Sequence, residues 1–381
     1  MAYLDNAATT FPKPDEVYDF MDEFYRKYGS SFGRGSYKSE KNVSKLISDT
    51  REKIKKILHC ENKLVVFTPT ATIALNIVIQ GLIKQNKKNI YITPLEHNAV
   101  TRILEYYTKK EKIEVIQLSL NQNYKYDLER IKYQFDDKKP DLIIMSHVSN
   151  VTGLITPVEE ISILAKKYGS NIVIDMAQSA GLVDINVGLE AIDFAVFAGH
   201  KTLYAPTGIS GFVMRRGLEL EPVLFGGTGF ESANQDMPNS VPERYEMGTL
   251  NTHAISGLYA SLKWLERQGI DSLYKKEQEN RAQIISILSR YDFIKIICND
   301  KNAEHVGIVS FIIEGISSES ASNIFDKYDV SVRTGLHCAP LAHKFLGTFP
   351  SGTIRISTSY FTTEEDFNSL ISVLDYIEDE L

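Results

Sequence analysis

Short apolar runs rich in Val, Ile and Phe recur through the first part of this chain, at residues 64–67, 90–93, 115–118, 142–148, 172–174, 194–197 and 210–214. Each is of strand length and nearly continuous in apolar character, and most are separated by segments whose apolar residues fall at helical spacing. That alternation predicts an α/β architecture, a buried parallel or mixed sheet with helices on its faces. Lys13-Pro14-Asp15-Glu16 predicts a helix that runs to about Lys27 and stops at Gly29. Residues 39–58 place Val43, Leu46, Ile47, Ile54 and Leu58 on one stripe, as an amphipathic helix requires.

The pattern changes near His253. A helix pair over about 254–290 is followed by strands near 293–297 and 307–313. A helix at 318–327, strands near 330–333 and 352–357 and a terminal helix at 363–380 complete an α+β unit. Two domains are therefore expected: a large α/β domain over 13–255 and a small C-terminal α+β domain over 256–381. The stretch 226–243, with its glycines, Pro238 and Pro242, predicts a long functional excursion.

Composition removes several classes. The chain has 381 residues, 43% of them hydrophobic, which places it among globular proteins and away from disorder. Acidic residues number 49 against 42 basic, net charge −7, with no block of like charge, so no nucleic-acid partner is expected. The longest mostly apolar stretch, 73–83, already contains Asn76, Gln80 and Gly81, and is far short of the roughly 20 residues of a membrane span. The first residues show no basic or apolar export signal, so no membrane partner and a cytoplasmic location are expected. Cys60, Cys298 and Cys338 fit neither a disulfide framework nor a zinc ribbon.

Asp175 ends the run Asn171-Ile-Val-Ile-Asp175, at the C-terminal end of a buried strand, where open α/β sheets bind their ligands. Lys201 follows the next strand in Phe197-Ala-Gly-His-Lys201, with Gly199 and Gly208 keeping the backbone close. A buried lysine with a depressed pKa can form a Schiff base, and an acid can keep a pyridine nitrogen protonated as an electron sink. Pyridoxal phosphate needs that combination, although an ordinary Asp–Lys ion pair accounts for these two residues equally well. Phe67-Thr-Pro-Thr-Ala-Thr-Ile-Ala-Leu75 opens a helix after the first strand, so the N–H groups near Ala71 and Thr72 and the Thr72 hydroxyl could hold a phosphate. Glu96-His97-Asn98 follows the second strand, where an imidazole could stack on an aromatic ring. A zinc site from His337, Cys338 and His343 lacks a fourth ligand and is set aside, so no metal is expected.

Taken in order, Tyr3-Leu-Asp-Asn-Ala-Ala-Thr-Thr10, Glu96-His97, Ser146-His-Val-Ser-Asn150, Asp175-Met-Ala-Gln178, Gly199-His-Lys201, Gly248-Thr-Leu-Asn251 and Arg333-Thr-Gly-Leu-His-Cys338 resemble the class V aminotransferase family. Within it they most resemble the cysteine desulfurase and selenocysteine lyase branch. The resemblance runs from residue 3 to about 370. It implies fold type I of the pyridoxal-phosphate enzymes, with a seven-stranded mainly parallel sheet, a smaller C-terminal α+β domain and residues 1–12 packing near the active site.

The resemblance also assigns roles. Lys201 resembles the lysine that holds the cofactor's aldehyde, Asp175 the partner of its ring nitrogen, Gln178 a donor to its ring hydroxyl and His97 the stacked imidazole. Ala71, Thr72 and His200 resemble the phosphate cradle, completed by Thr249 of a second subunit, and the stretch Gly226-Gly-Thr-Gly229 resembles the family's loop across the dimer interface. Asn150 stands where the family contacts cofactor or substrate carboxylate, Arg355 resembles the carboxylate-binding arginine, and Arg333 a second arginine at the mouth. Cys338 lies in the polar loop Thr334-Gly-Leu-His-Cys-Ala-Pro340, beside His337 and between the two arginines, surroundings that favour thiolate. In the family the matching cysteine takes the substrate's sulfur as a persulfide, whereas Cys60 and Cys298 read as inert.

The reaction implied is L-cysteine to L-alanine in a homodimer, with a protein sulfur acceptor that the sequence does not identify. Selenocysteine lyase, cysteine sulfinate desulfinase and other class V lyase or aminotransferase chemistry are the alternatives, and a non-catalytic sulfur-relay scaffold is a more distant one. Two features depart from the pattern. Ala198 stands where many relatives have a phosphate-binding serine, and Thr202 looks like an extra residue before Tyr204-Ala-Pro206. Only 17 positions separate Cys338 from Arg355, which resembles the short-loop Suf-type group and implies slow turnover without a docked acceptor.

Overall fold

Each of the seven apolar runs forms a strand of one sheet, in the order Lys63–Thr68, Ser210–Arg215, Phe194–Ala198, Asn171–Asp175, Leu142–Ser146, Asn89–Ile92 and Glu114–Gln117. Ser210–Arg215 is antiparallel to both neighbours, and the remaining pairs are parallel. The structure, a computed structural model, describes residues 1–381 other than 31, 33–36, 112, 122, 232, 301 and 381. Successive strand side chains alternate between faces, and the core divides accordingly. Val65, Phe67, Ile143, Met145, Ile172, Ile174 and Phe197 face one layer with the helices Lys38–Ile57, Leu128–Asp137 and Val158–Lys166. Val66, Leu142, Ile144, Val173, Phe194 and Val196 face the other, with Ala71–Ile83 and Asn98–Glu111. Both sheet faces are covered, which is why the runs read as continuously apolar.

The first helix is Asp15–Tyr28, with Asp15 and Glu16 in its first turn and Arg26 and Lys27 in its last, favourable charges at both ends of the helix dipole. It packs against Thr252–Gln268, which runs across the expected boundary at 255/256 and contributes Ile255, Leu258 and Leu262 to the core of the large sheet. A second sheet, entirely antiparallel, has the order Arg333–Gly335, Thr353–Ser357, Ile308–Ile313 and Ile294–Ile297. The helices Ile270–Leu288, Ser318–Lys327 and Glu364–Glu380 cover it through Ile284, Phe325 and Leu370. The strand expected at 330–333 is divided: Val330–Ser331 pairs in parallel with Ala2–Tyr3, and Arg333–Gly335 joins the antiparallel sheet. One apolar run thus serves two sheets because the N-terminus adds a strand that the sequence pattern is too short to announce. The helix Pro340–Leu346, after Cys338, was also not anticipated; Pro340 at its start and left-handed Gly347 (φ 73°) at its end are its signals. Among the described residues no helix is long and apolar enough to cross a membrane.

Candidate active site

Ser146, Asp175 and Ala198 are the last residues of adjacent parallel strands, and Thr68 and Ser210 meet them at the same sheet edge. A cavity of about 230 Å³ opens there, lined by residues that include Ala71, Thr72, His97, Asn150, Asp175, Gln178, His200 and Lys201. Eight of the expected site residues therefore converge on one space, although they are spread over 130 positions of chain.

Lys201 and Asp175 do not form an ion pair among the described residues, so the ordinary salt-bridge reading of the two falls away. Burial pulls the Lys201 amine down to about 8, and the Asp175 carboxylate opposes that shift. Burial pushes Asp175 up, while the Ala177 N–H, 2.9 Å from Oδ1, and Lys201 hold it down. Gly199 is required beside them, since a Cβ there would collide with the Ile209 carbonyl.

His97 Nδ1 accepts the Ala99 N–H at 3.0 Å, so the neutral ring carries its proton on Nε2. Burial, with Lys201 and Arg333 adding repulsion, holds this imidazole down to about 4. Its neighbour Glu96 is fully buried and accepts from Thr93 Oγ1 (2.7 Å) and from the N–H and hydroxyl of Ser146 (2.7 and 3.0 Å). Burial raises that carboxyl to about 7.

At the end of the cavity lined by Ala71, Thr72 and His200, Thr70 caps the helix Ala71–Ile83 by accepting the Ile73 N–H, which leaves the first-turn N–H groups of Ala71 and Thr72 without intrahelical acceptors. Among the described residues, His200 Nδ1 is buried without a partner. So is the hydroxyl of Ser210, the cross-strand partner of Ala198 on one side and Thr68 on the other. Free N–H groups at a helix N-terminus and an unpaired imidazole nitrogen, all from residues lining the cavity, make a donor set suited to a phosphate, whereas Ser210 is not among the lining residues. With a lysine and an acid across the cavity, the residues present fit pyridoxal phosphate.

Gln178 also lines the cavity, but one amide proton is committed to the Ala7 carbonyl at 2.8 Å. Asn150 Nδ2 donates to the His337 carbonyl at 2.8 Å, tying the cavity wall to the Cys338 loop. Cys338 is exposed and lines a second space of about 650 Å³ that shares Thr72, His97 and Ala99 with the first. Its Sγ accepts from Arg333 Nη2 at 3.4 Å. His337, by contrast, is not the thiol's partner: its ring is buried and Nε2 pairs with Thr353 Oγ1 at 2.9 Å. Cys60 and Cys298 are buried, and burial pushes both thiols up to about 12. No group of three or more metal-ligating side chains occurs among the described residues. Thr249 is exposed and lies outside the cavity lining.

Several contributors were not singled out from the sequence. Thr9 Oγ1 and Lys13 Nζ donate to the His200 carbonyl at 3.0 and 2.7 Å, and Thr10 Oγ1 donates to the Lys201 carbonyl at 2.8 Å. Burial brings the Lys13 amine down to about 7. Asp5 Oδ1 accepts from Arg355 Nη2 at 2.6 Å. Thr9, Thr10 and Asp5 lay within a recognised motif without a role.

The model of the family described as aminotransferase class-V matches residues 2–370. A protein named probable cysteine desulfurase from Methanothermobacter thermautotrophicus is 30% identical over 98% of this chain and 94% of its own. Another of the same name, from Halalkalibacterium halodurans, is 31% identical over 98% of this chain and 92% of its own. The apo structure of cysteine desulfurase from Thermococcus onnurineus NA1 matches with a TM-score of 0.90 at 28% identity, covering 100% of this chain and 95% of that one. The fold is type I of the pyridoxal-phosphate enzymes, as the resemblance implied. With a lysine and a carboxylate facing one cavity at the strand ends and a match that spans almost the whole length, the chain belongs to the class-V aminotransferase family.

Proposed function

We propose that this chain is a pyridoxal-phosphate-dependent cysteine desulfurase that converts L-cysteine to L-alanine and takes the sulfur on Cys338. The observation that carries the reading is the placing of an exposed cysteine, hydrogen-bonded by Arg333, in a space that shares Thr72, His97 and Ala99 with the Lys201–Asp175 cavity. Bound in that cavity, pyridoxal phosphate supplies an aldehyde for an amine and a sink for carbanion charge. Lys201 would hold the aldehyde, Asp175 the ring nitrogen, Gln178 the ring hydroxyl through its remaining amide proton, and His97 a ring face. Ala71, Thr72 and His200 would hold the phosphate. In a homodimer, the exposed Thr249 of a second copy would complete that cradle.

The chain's own residues then divide the work. Arg355 and Arg333 bind and orient the substrate carboxylate. Lys201 Nζ takes the proton from the substrate's Cα and later returns one to the product. Cys338 Sγ attacks the substrate's sulfur: the carbon–sulfur bond breaks, a sulfur–sulfur bond forms, and L-cysteine plus the Cys338 thiol become L-alanine plus a Cys338 persulfide. The Asn150–His337 hydrogen bond keeps the thiol loop against the cavity wall. The reading keeps the two-domain division at 255/256, with the helix Thr252–Gln268 as the element shared across it.

The test is alanine formation from L-cysteine by the wild type and Cys338→Ala, with and without a thiol reductant, while the cofactor's absorbance is recorded. A yellow protein that makes alanine only with Cys338 present supports the proposal. A yellow protein whose variant is equally active, or that leaves cysteine untouched, redirects the assignment to selenocysteine, cysteine sulfinate or another amino acid.

A further inference from the structure

We infer that Asp5 determines substrate specificity: by neutralising one of two adjacent guanidiniums, it sets the anion site to accept a single carboxylate. The inference rests on the proposed reading of Arg355 and Arg333 as the substrate-carboxylate site.

Arg333 and Arg355 are directly opposite one another on antiparallel strands. Side chains in that relation share a face, and like charges so placed are unfavourable unless an anion lies with them. Arg355 is 1% exposed, so its charge has almost no water to screen it. Its Nη1 donates to the Asn150 carbonyl at 2.9 Å, its Nη2 to Asp5 Oδ1 at 2.6 Å, and its Nε has no partner among the described residues. Asp5 is the carboxylate paired with Arg355, and no carboxylate pairs with Arg333 among the described residues.

Asp5 is held by backbone rather than by its own charge. It forms a parallel bridge to Ser357, two residues beyond Arg355, and the next residues bond the same serine through Asn6 N and Ala7 N. The preceding Ala2–Tyr3 pairs with Val330–Ser331. The N-terminal segment therefore sets one carboxylate against two guanidiniums, and these three groups sum to a single positive charge with an unsatisfied donor on Arg355, in a site that Lys201 and the Cys338 thiol also share. One carboxylate neutralises that charge. A second acidic group, carried at the substrate's sulfur end beside Cys338 and Arg333, would find the other guanidinium already compensated by Asp5.

The experiment compares the wild type, Asp5→Asn and Asp5→Glu, each loaded with cofactor. Calorimetry gives the dissociation constants of propionate and succinate, a non-reacting monoanion and dianion, and kinetics gives kcat/KM for L-cysteine and L-cysteine sulfinate. Asp5→Asn is expected to shift both ratios at least tenfold toward the dianion, about 1.4 kcal/mol, and Asp5→Glu to restore the wild-type ratios. Ratios unchanged in Asp5→Asn, or all four constants weakened equally, would overturn the inference and leave Asp5 a structural residue. Should Asp5→Asn not fold, Arg333→Gln removes the unpaired charge instead and must weaken succinate more than propionate; an equal loss counts against the idea. If neither amino acid reacts with the wild type, the desulfurase reading fails, while the propionate and succinate constants still decide the role of Asp5.

Discussion

Lys201 offers the most direct quantitative test. An amine brought to about 8 by burial is neutral in about 9% of molecules at pH 7, against about 0.03% for one at the ordinary 10.5. That is about a 300-fold gain in nucleophilic form, equivalent to about 3.4 kcal/mol at 1.36 kcal/mol per pH unit. The perturbation is pH, with Asp175→Asn as the second variable. The assay is reductive methylation of the cofactor-free protein by formaldehyde, with the label at Lys201 and at exposed lysines measured by peptide mass spectrometry. The Lys201 rate should rise about tenfold per unit up to pH about 8 and then level, while exposed lysines continue to rise. In Asp175→Asn the break should move below pH 8, because the removed carboxylate is the group that favours the charged amine. The sign carries over to stability: between pH 8 and 10.5 the unfolded lysine binds more protons than the folded one, so this group's contribution to stability rises with pH across that window. A Lys201 rate that climbs without a break to pH 10 would refute the argument from burial.

Alkylation by iodoacetamide at pH 8 should modify Cys338 in the native chain and reach Cys60 and Cys298 only after unfolding, as their thiols lie near 12; quantified peptide masses check this. Gly307→Ala should destabilise the protein by about 1–3 kcal/mol, since its Cβ would overlap the Glu277 carboxylate and the Thr358 hydroxyl; a lowered Tm is the expected result.

The sequence by itself determined the type of most elements and eight of the residues that line the candidate cavity. Seven apolar runs became seven strands because a sheet buried on both faces leaves few positions for polar residues, so the chemistry of the fold is written in local composition. Asp175 at a strand end and Lys201 just past the next were legible for the same reason: the ends of such strands are where polar side chains can meet a ligand. What the sequence did not contain was pairing between distant segments. The N-terminal strand, the division of 330–335 between two sheets, the Arg333–Arg355 register and the pairing of Ser210 with Ala198 all depend on which segments come to lie side by side. His337 shows the same limit, since adjacency to Cys338 in sequence suggested a partner whose ring the structure turns toward Thr353. Side-chain type and spacing act over a few residues, whereas the juxtaposition of Asp5, Arg333 and Arg355 is made only by tertiary packing.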